Sequence, residues 1–342
     1  MQNKDQTADA ASPYRQDVRV QARIEGAILG FAVGDALGVP GEFMSRDELA
    51  SNPIDDMRGG GAHGQLAGTW SDDTSMTLCM MDSLMEKGID YEDQMLRFSD
   101  WLWNATNTAR DEVFDVGGTT KHAIFAFCRG TPPLECGETA EFCCGNGSLM
   151  RVLPVALYLI GQYKISKLDD QSAFIIHNTS KCTHAHLRCL MACGIYCAVV
   201  FQLYNGGHLS TAVKAGISSA MSYYRRKSEF IDVYPEFEAL KDIALWPEEQ
   251  LRGSGYVIHT LQAALWCLLK TTNYRDCVLA AIRLGEDTDT TAAVAGGLSG
   301  LWYGVEAIPN GWLEKLAKSS ELRRKSREFF YRCFKNVETV KE

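Results

Sequence analysis

Apolar side chains along most of this chain recur every third or fourth position, the period that gathers them on one face of an α-helix. The stretch "RIEGAILGFAVGDALG" places apolar residues at 24, 28, 31 and 37, with small residues between them that permit close helix packing. "DTSMTLCMMDSLMEKG" begins after a Ser–Asp cap and stops at Gly88, the usual order of helix start and stop signals. The same period runs through "YEDQMLRFSDWLWNAT", "SLMRVLPVALYLIG", "HLRCLMACGIYCAVVFQLY" and "STAVKAGISSAMSYYRR". It continues in "SGYVIHTLQAALWCLLKT", "YRDCVLAAIRLG", "TTAAVAGGLSGLWYG" and around "SSELRRKSREFFYRCF". Alternating strand patterns and Asn-Gly hairpins between β-branched runs are almost absent. The pattern predicts roughly ten helices with short Gly-rich links. The fold class is therefore all-α, a single compact multi-helix domain over residues 22–342. Residues 1–21 are polar and aperiodic, and read as a flexible N-terminal arm.

Composition narrows the class of partner. Among 342 residues, 46% are hydrophobic and 23% charged, as in ordinary soluble domains. The formal charge of −9 argues against a nucleic-acid surface or an anionic membrane, where a basic patch is expected. A small substrate bearing phosphate stays open, since backbone N–H groups can bind it without a basic surface. No run of about 18 or more apolar residues occurs, so no membrane span is expected. Twelve cysteines suggest a disulfide framework only out of context. Cys189, Cys193 and Cys197 recur at helical spacing, and Cys143 and Cys144 follow Cys136 without the paired spacings of a zinc ribbon. They read as small core side chains, and the start "MQNKDQTADAASPYRQ" has no apolar signal core. The expected compartment is reducing and cytoplasmic.

Two acidic clusters change the picture: "WSDDT" at 70–74 and "GEDTDTT" at 285–291. Each can be an ordinary helix start, with a capping hydroxyl or carboxylate and an extra acid at the positive end of the dipole. "DTDTT" also matches the nucleophile motif of haloacid-dehalogenase-type phosphatases. That motif follows a buried strand, however, whereas here "CVLAAIRLGE" suits a helix. Metal binding accounts for both clusters at once. Mg²⁺ and Mn²⁺ prefer carboxylate and hydroxyl oxygens, and Ser71, Asp72 and Asp73 supply one trio, Asp287, Asp289 and Thr290 another. Two helix N-termini facing each other would surround a pair of ions. No His or Cys is interleaved with them, which disfavours zinc.

The ordered motifs "GAILGFAVGDALGVPGEF", "GTWSDDTSMTLCMMDSL", "DVGGTT", "GNGSLMRVLPVAL", "THAH", "SGYVIHTLQAALWCLL" and "LGEDTDTTAAVAGGLSGLWYG" resemble the ADP-ribosylglycohydrolases across residues 22–304. The resemblance implies an all-α fold with a dinuclear magnesium or manganese centre on Ser71, Asp72, Asp73, Asp287, Asp289 and Thr290. It makes Glu42 in "GVPGEF" an acid facing metal and ribose, where a lone acid is ordinarily a solvated loop residue. Asp115, whose local reading is a cap or Asx-turn, would lie beside the scissile bond as first choice of general acid, Glu42 being second. Asp73 joins them as a catalytic carboxylate. Gly117 and Gly118, the loop Asn146-Gly147-Ser148, and His184 fall on substrate-facing positions, although "GNGS" alone is a chain turn and a lone His is more often structural. The chain departs from the family where Gly118 replaces a common Asn, Glu286 a Gly, and His259 an Asp. None of these removes a proposed ligand; they bear on leaving-group preference.

The implied activity is metal-dependent removal of ADP-ribose from protein side chains, N-linked to arginine in the first instance. A second reading is an immunity protein that also blocks an ADP-ribosylating toxin through its arm, where "ASPYRQDVRV" offers one aromatic and two arginines. A third is a catalytically silent structural relative, against which the intact acidic set argues.

Overall fold

The computed structural model describes residues 13–335. Fourteen α-helices account for the architecture of these residues, and no β-sheet occurs among them, only isolated bridges. In chain order they are α1 (Pro13–Gly38), α2 (Arg46–Ser51), α3 (Asp72–Lys87), α4 (Tyr91–Asn104), α5 (Gly118–Cys128), α6 (Leu153–Tyr163) and α7 (Asp170–Lys181). Then follow α8 (Leu187–Asn205), α9 (Leu209–Tyr224), α10 (Val257–Lys270), α11 (Tyr274–Ile282), α12 (Thr288–Tyr303), α13 (Asn310–Lys315) and α14 (Ser319–Phe330).

The axis of the fold is the antiparallel pair α1 and α12. Gly26, Gly30, Gly34 and Gly38 lie one turn apart on α1 and meet Gly300, Gly296, Ala292 and Asp289 of α12 in reverse order. A Cβ at any of these four glycines would run into the opposing backbone, so only their hydrogens allow the helices to approach this closely. The small residues noted in the sequence thus form a contact stripe. Its consequence is positional: the C-terminal end of α1 is pressed against the N-terminus of α12. α8 packs alongside, with Cys189, Cys193 and Cys197 fully buried, and all twelve cysteines are unpaired thiols.

Several expectations need correction. α1 starts at Pro13, so residues 13–21 belong to a helix and not to an arm; Lys335 pairs with Asp17, and Arg23 bonds carbonyls of Leu203 and Leu301. Residues 1–12, where the rest of the proposed arm and its toxin contact fall, lie outside the described residues. The helix expected from Ser148 starts only at Leu153, because Pro154 suits a first turn and residues 148–151 form turns instead. α2, α5, α7 and α13 were not anticipated. α2 and α13 have six residues each, too short for an apolar period, and α5 opens on Gly117 without a side-chain cap. Two helical stretches, 17–41 and 187–205, are long and apolar enough to cross a membrane, yet in each the most apolar 18-residue window is largely buried inside the protein, 100% and 78% of it.

Candidate active site

The site is assembled where three helix ends converge. Asp35, near the end of α1, is fully buried. Its carboxylate accepts the N–H groups of Ser71 (2.9 Å) and Thr74 (3.0 Å) and the Thr74 hydroxyl (2.6 Å). An acid from one helix therefore caps the N-terminus of another, and α3 is held in place against α1. Ser71 completes that N-terminus by accepting the N–H of Asp73 at 3.3 Å. α12 begins beside it, and Thr290 Oγ1 donates to Asp73 Oδ2 at 3.0 Å. The two acidic clusters, more than two hundred residues apart in sequence, meet at this hydrogen bond.

Electrostatics make this arrangement costly as bare protein. Burial, reinforced by repulsion among neighbouring carboxylates, holds Asp72, Asp73 and Asp289 well above the ordinary carboxylate pKa. Burial lifts Asp35 to about 6 in spite of its three hydrogen bonds. Burial, then Asp115 and Asp287, pushes Glu42 up to about 9, and burial also raises Asp115 and Asp287. Among the described residues no Lys or Arg forms an ion pair with any of these seven acids.

Asp73 Oδ1 and both Asp289 carboxylate oxygens are buried with no hydrogen-bond partner. Buried charged groups are ordinarily paired or bound to metal. The residues therefore fit a cation, and an all-oxygen donor set suits a hard divalent one. Carboxylate oxygens of Asp35, Asp73 and Asp289 lie within 4.8 Å of one another, and a second such group joins Glu42, His63 and Asp115.

Above these acids opens a cleft of about 240 Å³. Glu42, Asp72, Asp115, Gly117, Gly118, Asn146, Gly147, His184, Asp287 and Thr290 line it. Asn146 ties the cleft together, donating to Asp287 Oδ2 (2.9 Å) and Thr260 Oγ1 (3.0 Å). A Cβ on Gly147 would come within 2.7 Å of the His184 ring, so glycine lets the loop lie against that imidazole. Burial and the nearby Arg151 hold the His184 pKa down at about 3, which keeps the ring neutral. Asp73, Asp289 and Ser71 lie beneath the floor, buried. The Ser148 side chain does not line the cleft: its hydroxyl accepts from Ser180 at 2.8 Å and faces Cys193 in the core, so only the backbone of this residue stays available to a substrate.

Two residues at the site were not anticipated. Asp35 lies in "GDALG", where its role follows only from the packing of the end of α1 against the start of α3. His63, in the Gly-rich "GGGAHG", carries no local signal at all, yet its Nε2 lies 2.6 Å from Glu42 Oε2. The Glu286 departure also has a physical meaning. Glu286 adopts φ 61°, a left-handed conformation that glycine takes freely, and backbone bonds with Phe43 and Met44 hold it there. At Gly118 a side chain would point into open space, so its absence widens the cleft.

The chain is similar to known proteins over most of its length. The chain is 32% identical over 312 residues to ADP-ribosylarginine hydrolase Tri1 of Pseudomonas putida (strain GB-1), spanning 91% of this chain and 78% of that one. It is 32% identical over 303 residues to the ADP-ribosyl-[dinitrogen reductase] glycohydrolase of Rhodospirillum rubrum, covering 87% and 91% of the two chains. A solved structure described as an ADP-ribosylglycohydrolase-related protein complex superposes with a TM-score of 0.74 at 28% identity, over 93% of this chain and 100% of that one. The sequence profile of the ADP-ribosylglycohydrolases matches residues 16–338, and with it the chain belongs to the ADP-ribosylglycohydrolase family.

Proposed function

We propose that this protein is a metal-dependent hydrolase that removes ADP-ribose from arginine side chains of modified proteins. The observation that carries this reading is the set of three buried carboxylate oxygens without a partner, one on Asp73 and both on Asp289, beneath an acid-lined cleft. The arginine linkage follows the relatives named for it, which cover most of the chain. Two Mg²⁺ or Mn²⁺ ions on Ser71, Asp72, Asp73, Asp287, Asp289 and Thr290 would supply a polarised water and anchor ribose hydroxyls.

The remaining chemistry belongs to the chain. Asp115 and Glu42 share a neighbourhood in which two carboxylates cannot both ionise cheaply, so the pair retains a proton. Asp115 has the more exposed side chain, 26% against 5% for Glu42, and so faces the leaving group. It passes that proton to the guanidine nitrogen as the C–N bond at the anomeric carbon breaks. Water adds to the same carbon, and its proton returns to the acid pair. Neighbouring carboxylates stabilise the positive charge that develops on the sugar. Gly117 and Gly118 open α5 without a side-chain cap or an acid in its first turn, leaving N–H groups for phosphate. Asn146 and the Gly147 backbone flank the ribose, and neutral His184 braces their loop.

The test is release of ADP-ribose from arginine-linked and serine-linked protein substrates, with Mg²⁺, Mn²⁺ or chelator. Arginine-linked release that disappears with chelator is expected. Asp115→Asn should lose at least about 100-fold in turnover while binding ADP-ribose as before. Absence of metal-dependent release, or a wild-type rate in that variant, would overturn the reading.

A further inference from the structure

Three aromatic rings cluster beside Glu42 and Asp115, two of the acids that line the cleft. The His63 ring centroid lies 5.8 Å from that of Phe43 and 5.1 Å from that of Phe114, each pair tilted by 52°. Each ring sits beside an acid: Phe43 follows Glu42, Phe114 precedes Asp115, and His63 Nε2 lies 2.6 Å from Glu42 and 3.9 Å from Asp115. Phe43 is 67% exposed, so the core does not explain its ring.

The backbone beneath is strained. Phe43, Asp115 and Glu286 are non-glycine residues at φ 66°, 53° and 61°. Two backbone hydrogen bonds of 2.7 Å, Phe43 to Glu286 and Glu286 to Met44, hold two of them in that conformation. Strain of this kind persists where the surroundings over-determine it, and it collects at functional sites.

We propose that Phe43, His63 and Phe114 form a subsite that receives the planar guanidinium of the arginyl leaving group. The proposal rests on the hydrolase reading above and adds how the linkage is chosen. A guanidinium has a weakly hydrated flat face that stacks on aromatic rings and an edge of N–H groups that bonds carboxylates. The rings supply the face, and Glu42 and Asp115 supply acceptors for the edge. A hydroxyl leaving group, as in a serine linkage, has no face to stack.

The experiment measures inhibition by agmatine, a free guanidinium, in the metal-loaded enzyme, together with the dissociation constant of ADP-ribose. Phe43→Leu and Phe114→Leu should each raise the agmatine inhibition constant about 3- to 10-fold. ADP-ribose affinity should stay within about 2-fold, and Phe43→Trp should restore or tighten agmatine binding. The ratio of arginine- to serine-linked cleavage should fall with the agmatine affinity. Unchanged agmatine inhibition in both leucine variants, or equal loss of agmatine and ADP-ribose affinity, would overturn the subsite. A wild-type enzyme that fails to cleave arginine-linked ADP-ribose would instead overturn the functional reading, and agmatine binding would still report on the rings.

Discussion

Asp289→Asn separates a metal ligand from a structural carboxylate, because the two roles move stability in opposite directions. Asp289 is buried, its two oxygens are unpartnered, and an oxygen of each of Asp35 and Asp73 lies within 4.8 Å. At an effective dielectric constant of about 20, two unit charges at that distance repel by about 3.5 kcal/mol. The raised pKa of each acid means that proton uptake already relieves part of this, leaving roughly 2 kcal/mol for the substitution to remove in metal-free protein. With an unfolding entropy of about 2.1 cal/mol/K per residue, that corresponds to a melting point roughly 3 °C higher for the variant in chelator. Metal reverses the order. A cation at about 100 times its dissociation constant adds about 2.7 kcal/mol, or roughly 4 °C, to wild type, and little to the variant. Thermal unfolding by calorimetry in chelator and in Mg²⁺ or Mn²⁺ reads both halves of the crossover. Turnover should fall at least about 100-fold. A variant that melts below wild type in chelator, or equal metal shifts for both proteins, would refute the reasoning.

Three further outcomes are expected. Asp35→Ala leaves two N–H groups of α3 without their acceptor and should cost about 1–2 kcal/mol in Mg²⁺, with metal affinity 10- to 100-fold weaker by calorimetric titration; unchanged affinity would show that α3 is placed by other contacts. Gly34→Ala puts a methyl group into the Ala292 backbone and should cost about 1–3 kcal/mol in urea unfolding; neutral behaviour would contradict the close contact of α1 with α12. His177, against Tyr224 and Phe230, has its pKa held down to about 4 by burial and nearby lysines. The unfolded chain therefore binds that proton first, and stability falls as pH drops from about 6.5 toward 4, by about 1–2 kcal/mol at pH 5. Denaturant unfolding of wild type and His177→Gln should show their stability difference shrinking from pH 7 to pH 5; a difference independent of pH would rule the burial effect out.

What the sequence determined by itself was local or periodic. The 3.6-residue period marks α3, α4, α8 and α10; Ser71 and Gly88 bracket α3 because capping needs only neighbouring residues. The two acidic clusters were legible for the same reason, since each is a contiguous run at a helix start. α5 and α7 escaped, one for want of a cap and the other because its capping pair, Asp169 and Ser172, departs from the usual residue choice. Tertiary structure alone decided which residues meet. The glycine stripe brings the end of α1 against the start of α12, and only then do residues 35, 42, 63, 73, 115 and 289 share one neighbourhood. Ser148, one residue beyond the cleft-lining Gly147, turns into the core for a reason no local pattern carries: Ser180 and Cys193 lie there. The shifted pKa values belong to this level too, because they arise from burial and from charges brought near through space. A residue's helical phase is set by its neighbours in the chain, whereas its chemistry is set by whatever the folded chain packs around it.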